Sequence, residues 1–119
     1  IVTAFTDEFN TPTLVDDLAK SVFSSIEKDL TGVYHASGKS CLNRFQFAQN
    51  LAKSFDLDQN LVIPTKSSDI PQIAPRPKNG CLDCTNFEQK CGIKFNEINS
   101  GIDYILSLSN KSTTASSKV

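Results

Sequence analysis

Leu14, Leu18, Ala19, Val22 and Ile26 recur at three-to-four spacing, which predicts a helix of about four turns with one apolar stripe turned to a core. Thr13-x-x-Asp16 is placed to cap it, and Leu30-Thr31-Gly32 breaks it. Before this helix come a short apolar run, Ile1 to Phe5, and a polar loop, Thr6 to Thr11, that delivers Pro12. After the break, Val33 to Ala36 closed by Gly38 reads as a short strand. A second helix starts at Asn43, with Asn43-x-x-Gln46 as its cap and Phe47, Ala48, Leu51, Ala52 and Phe55 on its apolar face. Leu61 to Ile63 is a further brief strand. Thr85-x-x-Glu88 reads as a capping box opening a third helix that ends at Gly92. A last helix follows Asn96 with Ile98, Ile102 and Ile105 inward, weakened by Gly101 by about 1 kcal/mol. From Ser107 onward Ser, Thr, Lys and Ala dominate, too polar to repay the entropy of ordering. The expected organisation is one domain over residues 1–106 with a disordered tail over 107–119. Helices alternating with a few short strands make the class α/β.

Four of the five prolines fall between Pro64 and Pro77, so this stretch reads as a loop wrapped over the surface, the usual place for binding residues. Pro75 and Pro77 fix φ on both sides of Arg76, which presents its guanidinium from a stiff loop. A planar donor held that way suits a phosphate. Taken alone, an arginine in a proline-rich loop is more often a plain solvated residue.

Four stretches in order change that weighting: Thr11-Pro12-Thr13-Leu14-Val15-Asp16-Asp17-Leu18-Ala19, Gly32-Val33-Tyr34-His35-Ala36-Ser37-Gly38, Asn43-Arg44-Phe45-Gln46-Phe47-Ala48, and Arg76-Pro77 running on to Leu82-Asp83. Together they resemble the C-terminal, substrate-binding part of the dTDP-4-dehydrorhamnose reductase family, extended short-chain dehydrogenase/reductases. Gly80 stands where that family often has Ser, and Asn86 where it often has Lys. The resemblance implies the substrate-binding part of such a reductase, helices packed on a few short strands, with the phosphate-loop half of the Rossmann fold absent. It implies a parent enzyme that reduces the 4-keto group of a nucleotide sugar with hydride from NADPH, the cofactor being bound mainly by the other half. By motif, Arg76 takes the diphosphate, and Asn10, Thr11 and Thr13 stand in the loop that faces the cleft in related folds. Helix entry is an equally good reading of those three.

No catalytic residue is expected in this chain. Neither Tyr34 nor Tyr104 has a lysine four residues on, and no Gly-rich loop follows a first strand. A chain that begins at Ile1 and contains no Met is expected to be a piece of a longer protein. A runner-up is a non-catalytic, NADP-binding regulatory relative like the β subunit of methionine adenosyltransferase, whose Arg-Pro segment is also similar. His35 reads as a structural hydrogen-bonding residue. One histidine without a nucleophile or carboxylate beside it has no catalytic task.

Composition narrows the partners: 119 residues with 21% charged, a net charge of −1 and no basic run argue against nucleic acid as the main partner. No stretch is apolar enough for a membrane span, and no signal peptide is visible, so a cytoplasmic protein is expected. A homodimer of the parent remains open. Cys81-x-x-Cys84, Cys91 and Cys41 could in principle hold zinc or form disulfides. Free buried thiols in a reducing compartment are the expectation.

Overall fold

Two apolar runs far apart in sequence find each other. In the computed structural model, which describes residues 1–117, β1 (Val2–Phe5) and β4 (Val62–Thr65) pair in parallel from Val2↔Val62 to Phe5↔Thr65. Parallel strands need a long crossover, and the intervening chain includes α1 (Val15–Glu27) and α2 (Arg44–Ser54). Helix α2 lies on the ladder: Ala4, Ala52 and Val62 form a buried cluster, with Phe45 and Ala48 packed against it. A second pair, β2 (Phe9–Asn10) and β3 (Leu42–Asn43), is antiparallel, with Phe9 opposite Asn43 and Asn10 opposite Leu42.

A separate core lies under α3 (Thr85–Cys91), where Cys84, Phe87, Cys91 and Phe95 are buried together. Tyr34 packs against Phe87 at 5.5 Å and Phe87 against Phe95 at 6.1 Å between ring centroids, the rings tilted in both pairs. Gly92, at φ 77°, ends α3 in the left-handed conformation that the sequence assigns to it. The last helix, α4, spans Ile98–Ser117. The α/β class is as expected.

Several local expectations are overturned. Helix α1 forms, but its apolar stripe is not the buried side: Val22 is 51% and Ile26 70% exposed, whereas Asp17, Ser21 and Ser24 are buried. Each buried polar group has a partner. Asp17 accepts from the Asn96 backbone and side-chain amides at 2.8–3.0 Å, Ser21 donates to the Leu18 carbonyl, and Ser24 donates to that of Cys91. Those bonds stabilise the polar face inward, while nothing among the described residues covers the apolar one. Thr13 does not cap α1. Leu14 stands at the N-cap without a side-chain bond, and Asp16 instead accepts from the Tyr104 hydroxyl at 2.5 Å.

The Thr85/Glu88 capping box is also absent. Asp83 accepts from the Thr85 amide and hydroxyl, while Glu88 accepts from the Phe95 amide at 2.7 Å. The Asn43/Gln46 box is present with both bonds, at 2.7 and 3.0 Å. Val33 to Ala36 keeps strand-like alternation, Tyr34 and Ala36 packed on the core and Val33 92% exposed, yet no described strand lies beside it and no ladder forms. The boundary expected at residue 106 falls inside α4. No Gly or Pro interrupts residues 102–117, so nothing stops the helix. The rest of the expected tail, residues 118 and 119, lies outside the described residues.

Candidate functional site

The free edge of β2 is where the proline-rich loop returns. The Phe9 amide donates to the Lys78 carbonyl at 2.9 Å, and the Gly80 amide donates to the Phe9 carbonyl at 2.8 Å. The Arg-Pro segment thus becomes a short third partner of the β2–β3 pair. Gly80 lies close against this strand: a Cβ there would stand 2.8 Å from Asn10 Oδ1, so the exposed Asn10 side chain would have to shift. Upstream, Asp7 fastens the loop. Its carboxylate accepts from the Ser67 amide at 3.0 Å, the Ser67 hydroxyl at 2.7 Å and Lys78 Nζ at 3.0 Å. The Ser67 hydroxyl above all, then Lys78 and the Ser67 amide, hold the Asp7 carboxyl well below the usual carboxylate range.

Arg76 is exposed in the loop so fixed, and it makes neither hydrogen bond nor ion pair among the described residues. It lines a concavity with Phe5, Glu8, Arg44, Gln72 and Ile73. Arg44 enters as the first residue of α2, placed by the Asn43 capping box. Two arginines therefore line one concave surface, a layout suited to an anion with several oxygens. Sequence reasoning missed Arg44. The signal available was the capping box, which makes Arg44 the first residue of α2.

Of the other expected site residues, Asn10 and Thr11 lie beside the Arg-Pro segment. Asn10 is exposed against Gly80, and Thr11 Oγ1 accepts from the Leu82 amide at 3.4 Å. Thr13 is not brought to Arg76. Its hydroxyl donates to the Thr11 carbonyl at 3.1 Å and accepts from the Gly38 amide at 3.0 Å, and it lines a different, apolar concavity with Leu14, Phe47 and Ile102. The sequence separation of Arg76 from Asn10 and Thr11 is closed by the backbone pairing at Phe9.

The cysteines correct the expectation of free thiols. Cys41 and Cys81 are joined in a disulfide with 5.7 Å between Cα atoms, tying the residue before β3 to the Arg-Pro segment. Sequence could not select this pair, since contact of β3 and residues 78–80 with the same strand brings them together. Cys84 and Cys91 are free and buried; burial first, then Glu88, pushes the Cys84 thiol up, so it is a poor nucleophile. His35 is exposed and makes no hydrogen bond among the described residues, so the structural bond expected of it is not made. Among the described residues, no helix is long and apolar enough to cross a membrane, and no His, Cys, Asp and Glu group is placed to hold a metal.

The family model for the RmlD substrate binding domain matches residues 1–110. This chain belongs to that family. It is 30% identical over 99 residues to a dTDP-4-dehydrorhamnose reductase of Aggregatibacter actinomycetemcomitans, covering 74% of this chain and 34% of that protein. It is also similar to the methionine adenosyltransferase 2 subunit beta of Danio rerio, 27% identical over 82 residues, with 65% of this chain and 25% of that protein covered. The crystal structure of the dTDP-4-dehydrorhamnose reductase from Bacillus anthracis in complex with NADP superposes with a TM-score of 0.78 at 24% identity, over 87% of this chain and 36% of that one. At that identity the likeness establishes the α/β fold. The chain spans about a third or less of the length of these relatives.

Proposed function

We propose that the protein carrying this chain is a reductase of dTDP-4-dehydrorhamnose or a related 4-keto nucleotide sugar, dependent on NADPH, and that this chain supplies grip on the substrate. The observation that carries the reading is Arg76: a guanidinium without an intramolecular partner, exposed on a loop that Asp7 and two prolines hold still, sharing a concave surface with Arg44. Arg76 takes the diphosphate through paired N–H donors. Asn10 at the end of β2 and Thr11 just after it border the ligand, and Thr13 braces that loop through Gly38.

The NADPH cradle is assigned, in this proposal, to the other half of the parent protein. Gly38, in the loop before α2, is pressed against Pro12, where a Cβ would stand 1.9 Å from the carbonyl oxygen. Its role is close chain packing, so no step through the cofactor is assigned to this chain. The same proposal carries a cytoplasmic location, in which the Cys41–Cys81 bond would be exposed to reducing thiols. It includes no nucleic-acid or membrane partner, and a homodimer of the parent is compatible with it.

The test is oxidation of NADPH by the full-length protein in the presence of dTDP-4-dehydrorhamnose. Substrate-dependent turnover is expected. Absence of turnover, together with stable binding to a methionine adenosyltransferase catalytic subunit, would favour the second reading, which rests on the likeness to the Danio rerio subunit.

A further inference from the structure

Glu8 follows the loop-fastening Asp7 and precedes β2, and its side chain is turned away from bulk water. It is only 7% exposed, and it makes neither hydrogen bond nor ion pair among the described residues. No fully enclosed side-chain nitrogen or oxygen among the described residues lacks a partner, so the little of Glu8 that solvent reaches must include its carboxylate oxygens. Glu8 lines the concavity of Arg44 and Arg76 and also the adjoining one lined by Ser67, Gln72 and Arg76. A largely buried carboxylate without an internal donor is a standing demand for one.

Two guanidinium groups and one acceptor-only carboxylate on one concave wall match a ligand that carries an anion and, directly joined to it, a hydroxylated ring. We propose that Glu8 accepts hydrogen bonds from the hexose hydroxyls of the bound nucleotide sugar and thereby selects the sugar. This deepens the proposed function and rests on it. In a nucleoside diphosphate sugar the hexose is joined to the second phosphate, so its hydroxyls fall beside whatever holds the diphosphate. Vicinal hydroxyls can each donate to one carboxylate oxygen, whereas a thymidine nucleotide offers a single hydroxyl on its deoxyribose. A polar group built to pair with a substrate hydroxyl discriminates strongly against analogues that lack it.

The experiment measures dissociation constants of dTDP-rhamnose and of dTDP for the full-length protein and for Glu8→Gln, with melting temperatures alongside. Glu8→Gln keeps the volume and breaks no bond present in the free protein, but replaces one charged acceptor by an amide. The ratio of the dTDP-rhamnose constant to the dTDP constant should rise roughly tenfold in the variant. In the unaltered protein, a dTDP-2,3,6-trideoxyhexose, differing from dTDP-rhamnose only in lacking the vicinal 2- and 3-hydroxyls, should bind roughly tenfold more weakly than dTDP-rhamnose, a comparison independent of whether the variant folds. An unchanged ratio in a folded variant, or equal binding of the two sugars, overturns the role of Glu8 while leaving the diphosphate grip intact. No binding of dTDP to the unaltered protein overturns both. A rise in dTDP affinity matched by an equal rise for dTDP-rhamnose would show that Glu8 only tempers the charge of the arginines, and would also overturn the proposal.

Discussion

Single residues in this chain divide by whether their partners are near in sequence. The Asn43/Gln46 cap was legible because both bonds close within three residues. The same spacing at Thr85/Glu88 misleads, since Asp83 takes the Thr85 donors locally and Glu88 is claimed by Phe95. Asp7 had no local signal at all, because its partners lie 60 and 71 positions away. Its lowered proton affinity means that the ionised form is favoured in the folded state. Its contribution is therefore complete above the ordinary carboxylate value, near 3.9, and is lost as pH falls through the lower folded one. Proteolysis of the 66–78 loop should be slow and constant from neutral pH down to about pH 4. Asp7→Asn should raise cleavage there several-fold at neutral pH; equal cleavage would show that the loop is held by its prolines alone. Glu88→Ala leaves the buried Phe95 amide and Lys39 without their acceptor, so a loss of about 2–4 kcal/mol in urea unfolding is expected, and a loss under about 1 would mean that water replaces it.

Elements were legible in kind more than in orientation. The period of Leu14, Leu18, Val22 and Ile26 correctly announced α1 but pointed to the wrong face, because the partners of Asp17 and Ser24 lie at Asn96 and Cys91. A hydrophobic period tells which side is apolar, while burial also depends on what is present to cover it. The Arg-Pro segment was readable as a rigid loop, yet its attachment to β2 through Phe9 and to Cys41 through a disulfide depends on folding of residues far upstream. That disulfide closes a sequence separation of 40 residues, for which chain entropy gives about 2–4 kcal/mol of stabilisation. Cys81→Ser should lower unfolding free energy by about that amount and loosen the Arg76 loop. Titration of the unfolded protein with a thiol reagent should find two thiols before reduction and four after, matching the free pair Cys84 and Cys91. Four thiols before reduction would contradict the bond.

As a whole, the molecule is proposed to form one wall of a site. The β2–β3 pair and the Arg-Pro segment bring Glu8, Asn10, Thr11, Arg44 and Arg76 near one another, and the dinucleotide cradle is left, in this proposal, to the other half of the parent. The chain by itself should accordingly show no reductase activity and no micromolar affinity for NADPH by calorimetry. The central claim, that this wall grips a nucleotide sugar through Arg76, is tested most directly by titrating the full-length protein and its Arg76→Ala variant with dTDP-rhamnose. A charge-assisted contact of about 1.5–3 kcal/mol corresponds to roughly a ten- to hundredfold loss of affinity, with the melting temperature unchanged because Arg76 has no internal partner among the described residues. Arg76→Lys should recover part of the loss, keeping the charge without the fork. An Arg76→Ala variant that binds the sugar nucleotide as tightly as the unaltered protein would contradict the account and return Arg76 to the role of a solvated loop residue.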